Sequence, residues 1–228
     1  IFKSLSHLQG IVDKKNSLPI LSNILIEAKD NFLTLSSTDM DISIVEKIEC
    51  NILEDGSTTL NSQILYDIVR KLDDTSNVEL ISNDGKIITL RANGSRFSLS
   101  CLPKEDFPII EHLNEGTNLN INSKILFKLI DKTKFAISNE ETRYFLNGLY
   151  FNLHEENNKT NVTLVGTDGH RLAKFSHQIE GKIKSDIGVI IPKKTINELS
   201  KLLSEFDDDI EITISSNKII FYINNLVF

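Results

Sequence analysis

The chain repeats itself, and a repeat this long dictates the plan of the fold. FKSLSHLQGIV, opening with Phe2-Lys3, returns as FKLIDKTKFAI from Phe127-Lys128. LSNILIEA places Asn23 where FLNGLYFNL places Asn147. LSSTDMDIS carries Thr38-Asp39 after an apolar run, and LVGTDGHRL carries Thr167-Asp168 likewise. SQILYDIVRKL is matched by KKTINELSKLL, and VELISNDGKIITL by IEITISSNKIIFYI, with Lys86 against Lys218. The offsets are about 125, 124, 129, 131 and 132 residues, in one order. One such pairing means little; five in register point to an internal duplication, with a period too long for a small solenoid unit. Each copy is then a domain of ordinary size, the first over residues 1–112 and the second over 113–228. KEDFPIIEHLNEGTN, residues 104–118, separates them, punctuated by Pro108 and Gly116. The second copy has a strand-like TNLNI before its first helix, whereas the first copy opens directly in the helix. The first copy ends with GSRFSLSCLP, where the second stops at NNLVF. The repeat therefore leads us to expect a fragment, its first domain lacking a first strand and its second lacking its C-terminal end.

Four windows have helical spacing. Leu5, Leu8 and Val12 form a stripe in 1–12; Leu65, Ile68, Val69 and Leu72 in 62–72; Leu126, Leu129, Ile130 and Ile137 in 123–138; Ile196, Leu199, Leu203 and Phe206 in 193–206, after a start signal at Pro192. The remainder reads as short strands with turns such as Asn83-Asp84-Gly85. Helices and strands do not alternate strictly, so an antiparallel α+β plan is expected over a doubly wound one.

No apolar run approaches the roughly 20 residues of a membrane span. No signal peptide is visible, although the chain does not begin with Met. Cys50 and Cys101 are far apart, with no metal or redox spacing, as for reduced thiols in a cytosolic protein. The formal charge of −7 argues against nucleic acid unless charge is segregated. It is segregated. The helix windows hold ten bases (Lys3, Arg70, Lys71, Lys124, Lys128, Lys132, Lys134, Lys193, Lys194 and Lys201) against four acids, so the acidity lies elsewhere. Lys124, Lys128 and Lys132 stand at i, i+4 and i+8 on one face. Helices leaning basic in an acidic protein suggest a surface facing a polyanion, touching phosphates without reading bases.

VGTDGHRLAKF, residues 165–175, looks like an active-site loop. Asp168 and His170 would be its acid–base pair, and Asp39 with Asp41 a metal site. The first copy's equivalent lacks the histidine and arginine, and no nucleophile motif or phosphate-binding glycine loop occurs. The simpler reading makes Asp168 a turn former bonded to its own backbone ahead of Gly169, with His170 at the surface.

The segments LPILSNILIEA at 18–28, RFSLSCLPKEDFP at 96–108, RYFLNGLYF at 143–151 and TDGHRLA at 167–173 together resemble the bacterial β sliding clamp family, the processivity factors of replicative DNA polymerase. The resemblance covers the whole chain. It implies a DNA clamp fold of three similar domains per chain, antiparallel sheets outside and helices on the inner surface, two chains closing head to tail around duplex DNA. This chain would supply domains 1 and 2, with domain 3 absent. It further implies no catalytic activity, no cofactor, no metal, a cytoplasmic setting, and partners (polymerase, clamp loader, repair factors) that dock through short linear peptides. The implied groove residues are Leu146, Thr167, Gly169, His170, Arg171 and Leu172, the far wall coming from beyond Phe228. Implied DNA contacts are Lys14, Lys15, Arg143 and Tyr144, joined by the helix residues Lys124, Lys128 and Lys201. Glu140 stands where the family commonly has a polar amide. The implied dimer edge carries Arg96, Phe97 and Leu99. Two alternatives remain: a metal-dependent hydrolase or phosphoesterase using Asp168 and His170, and a peptide-binding scaffold that ignores DNA.

Overall fold

The computed structural model describes residues 1–12, 18–73, 75–82, 85–110, 115–140, 142–181, 183 and 186–228. Two compact units divide the chain: Ile1–Glu111 with Asn225–Val227, and His112–Asn224 with Phe228. In the first, α1 (Phe2–Gln9) precedes β1 (Asn23–Lys29), β2 (Phe32–Thr38), β3 (Ser43–Glu49) and β4 (Gly56–Asn61). Then come α2 (Ser62–Val69), β5 (Glu79–Ser82), β6 (Ile87–Ala92) and β7 (Ser95–Leu102). The second unit opens with β8 (Thr117–Asn122) and α3 (Ser123–Asp131), then β9 (Gly148–Glu156), β10 (Lys159–Thr167), β11 (Leu172–Glu180) and β12 (Ile187–Pro192). It continues with α4 (Lys193–Leu203), β13 (Asp209–Ile214) and β14 (Ile219–Ile223); the short β15 (Leu226–Val227) pairs with β3.

The duplication seen in the sequence is a duplication of topology. Antiparallel order β3-β2-β1-β4 in the first unit is matched by β11-β10-β9-β12 in the second. The β5–β6 hairpin corresponds to β13–β14, and in the second unit β8 pairs with β13. In both units the two helices pack on each other and on the strands. The helical stripes explain this. Leu5, Leu8, Leu65 and Val69 are buried in the first unit, and Leu126, Leu129, Ile130, Ile196, Leu199 and Leu203 in the second. Each fully buried Leu or Ile contributes about 1.5–3 kcal/mol of transfer free energy. Asn61 and Asn122 cap α2 and α3, their side-chain oxygens accepting from the N–H of Ile64 and Lys124 at 3.0 and 3.1 Å. The window 123–138 proves too long for one helix. The α-helix stops at Asp131, where the buried Thr133 hydroxyl donates back to the Leu129 carbonyl at 2.8 Å, and a 3-10 turn, Lys134–Ala136, succeeds it. Of the expected Asn83-Asp84-Gly85 turn, Asn83 and Asp84 lie outside the described residues.

One buried cluster has no signature in the sequence. The Glu46 carboxylate on β3 accepts from the Ser4 hydroxyl and meets His7 Nδ1, both at 2.8 Å, with the His7 and Glu46 side chains 4% and 6% exposed. It ties α1 to the sheet. A buried carboxylate is tolerable only when its oxygens are bonded in this way. Cys50 and Cys101 are half-buried and form no disulfide. Among the described residues no helix is long and apolar enough to cross a membrane.

Candidate functional site

The Thr167–Leu172 turn joins β10 to β11 and is built by its own polar side chains. Thr167 Oγ1 donates to the Arg171 carbonyl at 2.7 Å and accepts from Gly169 N–H at 3.2 Å. Asp168 Oδ1 accepts from the N–H groups of His170 and Arg171, both at 3.0 Å. Gly169 takes φ +91°, left-handed backbone that a side chain would strain. Asp168 is thus the turn former expected, and this sets its acidity. The backbone N–H of Arg171, then that of His170, with added help from the Arg171 guanidinium, hold its carboxyl at about 2. A carboxylate that reluctant to take a proton is a poor general base at neutral pH. Its ion pair is with Arg171, and among the described residues no three His, Cys, Asp or Glu side chains cluster as a metal site.

Arg171 is held from two sides. Its Nε donates to Asp168 Oδ2 at 3.0 Å and its Nη2 to the Phe135 carbonyl at 2.8 Å, while the guanidinium lies 5.6 Å from the centre of the Phe135 ring. A second loop reaches the same corner. Arg143 Nη1 lies 3.7 Å from where a Cβ on Gly169 would sit, and Arg143 Nε pairs with Glu140 at 2.9 Å. The Arg143 carbonyl accepts from Leu146 N–H at 2.8 Å, fixing the half-buried Leu146 in that loop. Leu172, Phe135, Phe145 and Tyr144 are all more than half exposed. Exposed apolar side chains on the segments that carry Arg143 and Arg171, with Phe135 against the Arg171 guanidinium, are of the kind that docking surfaces use.

Of the groove residues expected from the sequence, Thr167, Gly169, His170, Arg171 and Leu172 occupy this one turn, and Arg143 brings the Leu146 loop against it. Phe135 is an addition that sequence reasoning does not supply. A signal for it exists: it sits off the Leu126, Leu129, Ile130 and Ile137 stripe, so a helical window containing it leaves it outside the core.

The expected basic residues are present but less bare than composition implied. Lys124, Lys128 and Lys201 are exposed. Lys124 pairs with Asp207, Lys201 with Glu198 at 2.7 Å, and Lys128 Nζ lies 5.9 Å from the Phe175 ring. The Lys124–Asp207 pair is exposed on both sides and is worth at most about 1 kcal/mol, whereas the Glu198 side chain that meets Lys201 is only 15% exposed. Lys14 and Lys15 lie outside the described residues. Arg96, Phe97 and Leu99 lie on β7, whose residues Ser95–Ser100 pair on one side with β6. On the other side β7 pairs with β4 only at Cys101 and Leu102. Among the described residues, the Arg96–Leu99 stretch therefore offers an open strand edge.

Two family models cover nearly the whole chain. The DNA polymerase III beta subunit N-terminal domain matches residues 1–111, and the central domain of the same subunit matches residues 120–228. The beta sliding clamp of Caulobacter vibrioides is 39% identical over 222 residues, spanning 97% of this chain and 60% of that protein. That of Escherichia coli K12 is 31% identical over 229 residues, spanning 100% and 61%. The solved sliding clamp of Bartonella birtlesii, described as bound to griselimycin, superposes with a TM-score of 0.93 at 41% identity. The match covers 99% of this chain and 60% of that one. The chain thus spans about three-fifths of the length of these relatives.

Proposed function

This chain belongs to the DNA polymerase III beta subunit family, and from that premise we propose that it forms the first two domains of a sliding clamp. The clamp encircles duplex DNA in the cytoplasm and tethers polymerase, clamp loader and repair factors through short linear peptides, with no chemistry of its own. The observation that carries this reading is the exposed corner around Arg171. Leu172 and Phe135 offer apolar walls, and Gly169 lets a backbone approach. The polar groups of Thr167 and Asp168 are already spent on the turn. Such a corner suits holding a linear segment in place. The open edge of β7 suits pairing with a strand of a second chain, which is how a head-to-tail ring would close. The exposed lysines Lys124, Lys128 and Lys201 on α3 and α4 suit sequence-independent phosphate contact.

The test is a titration of the full-length protein with a fluorescent peptide derived from the replicative polymerase. Leu172→Asp and His170→Asp are expected to abolish binding; unchanged affinity removes the groove assignment. Griselimycin, described on the Bartonella clamp, is expected to compete with that peptide. Charge reversal at Lys124, Lys128 and Lys201 together is expected to lower retention on circular duplex while leaving the fold intact. Retention unchanged even at low salt contradicts the phosphate-facing role.

A further inference from the structure

Phe135 has an unusual setting for an aromatic residue. Its neighbours in the 3-10 turn are fixed: Thr133 and Ala136 are fully buried, and Ile137 nearly so. The Ala136 N–H donates to the Thr133 carbonyl at 3.1 Å. That geometry leaves Phe135 outside, 59% exposed, where an unassisted Phe gains little. What it touches is Arg171, through both its ring and its carbonyl. The duplication supplies an internal control. Ser37 Oγ donates to the Leu8 carbonyl at 3.2 Å, and its counterpart Gly166 passes directly beside the Thr133 carbonyl. Leu8 therefore answers to Thr133, and Gly10 to Phe135. At the other end of the contact, Ile42 answers to Arg171 and is buried. The aromatic and the arginine are present together in one unit and absent together in the other.

We propose that Phe135 is a positioning residue of the peptide-docking surface: its ring and carbonyl hold the Arg171 guanidinium against the Thr167–Leu172 turn in the orientation that an incoming linear segment meets. This deepens the docking reading above and rests on it. An arginine side chain left free would lose rotamer entropy on each docking event; one lying over a ring and bonded at Nε and Nη2 has already lost much of it.

The experiment uses the full-length protein and the same polymerase-derived peptide, with two readouts. Phe135→Ala is expected to weaken binding about tenfold and to speed solvent exchange of the Arg171 Nη–H groups, which face Phe135, seen by NMR. Phe135→Tyr is expected to restore both. Phe135→Leu, which keeps an apolar side chain but removes the ring, is expected to behave like the alanine variant, and an unchanged amide spectrum away from the turn shows that the fold is intact. Affinity within twofold of the parent in Phe135→Ala overturns the proposal. So does a loss of affinity with Arg171 exchange unchanged, since the ring would then act without the arginine. Should Leu172→Asp bind as well as the parent, the docking surface itself is wrong, while the exchange measurement still decides whether Phe135 holds Arg171.

Discussion

In the turn Thr38–Ser43 the Thr38 hydroxyl donates to the Ile42 carbonyl at 2.9 Å and accepts from Met40 N–H at 3.0 Å. Asp39 Oδ1 accepts from the N–H groups of Asp41 and Ile42 at 3.0 and 2.7 Å. Every one of these bonds recurs in Thr167–Leu172, atom for atom, with Thr167 and Asp168 in the same roles. Even the left-handed residue recurs, Met40 at φ +83° and Gly169 at φ +91°. The difference lies in the side chains after the aspartate. Ile42 turns into the core at 7% exposure, where Arg171 turns out onto Phe135; Ser43 is half-buried where Leu172 stands 65% exposed. An acid that closes the same turn in both units cannot be what distinguishes the second one. What sets the second turn apart is changed side chains on a retained backbone.

The two units also differ beside the turn, and that difference gives the largest expected effect. A Cβ on Gly166 would lie 2.6 Å from the Thr133 carbonyl oxygen, which is backbone and cannot swing away. Gly166→Ala is expected to destabilise the second unit by about 3 kcal/mol, whereas Ser37→Ala, which loses one hydrogen bond, costs about 1 kcal/mol in the first. Equal losses in urea denaturation would mean that the close approach in the second unit is not rigid. Next in size is the left-handed position. Met40→Gly is expected to stabilise by about 1 kcal/mol and Gly169→Ala to destabilise by a similar amount; effects of the same sign at both sites would break the equivalence of the turns. The smallest effect is electrostatic. The Asp168 carboxyl lies at about 2, below the roughly 3.9 of an unfolded aspartate. Its contribution to the folded state is therefore fully present above about pH 4 and lost as pH falls toward 2. A carbon-13 titration is expected to place its midpoint near 2. Arg171→Ala should raise that midpoint only in part, because the two backbone donors remain. A midpoint at the ordinary value would show that the turn does not hold the carboxylate.

The core stripes were readable because burial of Leu5, Leu8, Leu126 and Leu199 obeys helical period alone. The turn was readable because Asp before Gly carries its own local hydrogen bonds. What escaped depends on distant partners. Strand alternation turns Ile44 and Glu46 inward together, yet a charge there is stable only because His7 and Ser4 arrive from α1. The corresponding strand position in the second unit is Phe175, which needs no such help. Lysines counted as a bare basic face are partly answered by Asp207, just outside the helical window, and by Glu198 inside it. The exposure of Phe135 follows from its place off the helical stripe, but its contact escaped because Arg171 arrives from a turn 36 residues away.

Both turns can be interrogated in a single titration. Isotope-labelled full-length protein is titrated with the polymerase-derived peptide while amide shifts are tracked in each unit. The expected result is a saturable shift at Thr167, Gly169, His170, Leu172 and Leu146, lost in Leu172→Asp, with Thr38, Met40 and Ser43 unmoved. Shifts of equal size in both turns, or binding that survives Leu172→Asp, would contradict a docking role for the second turn.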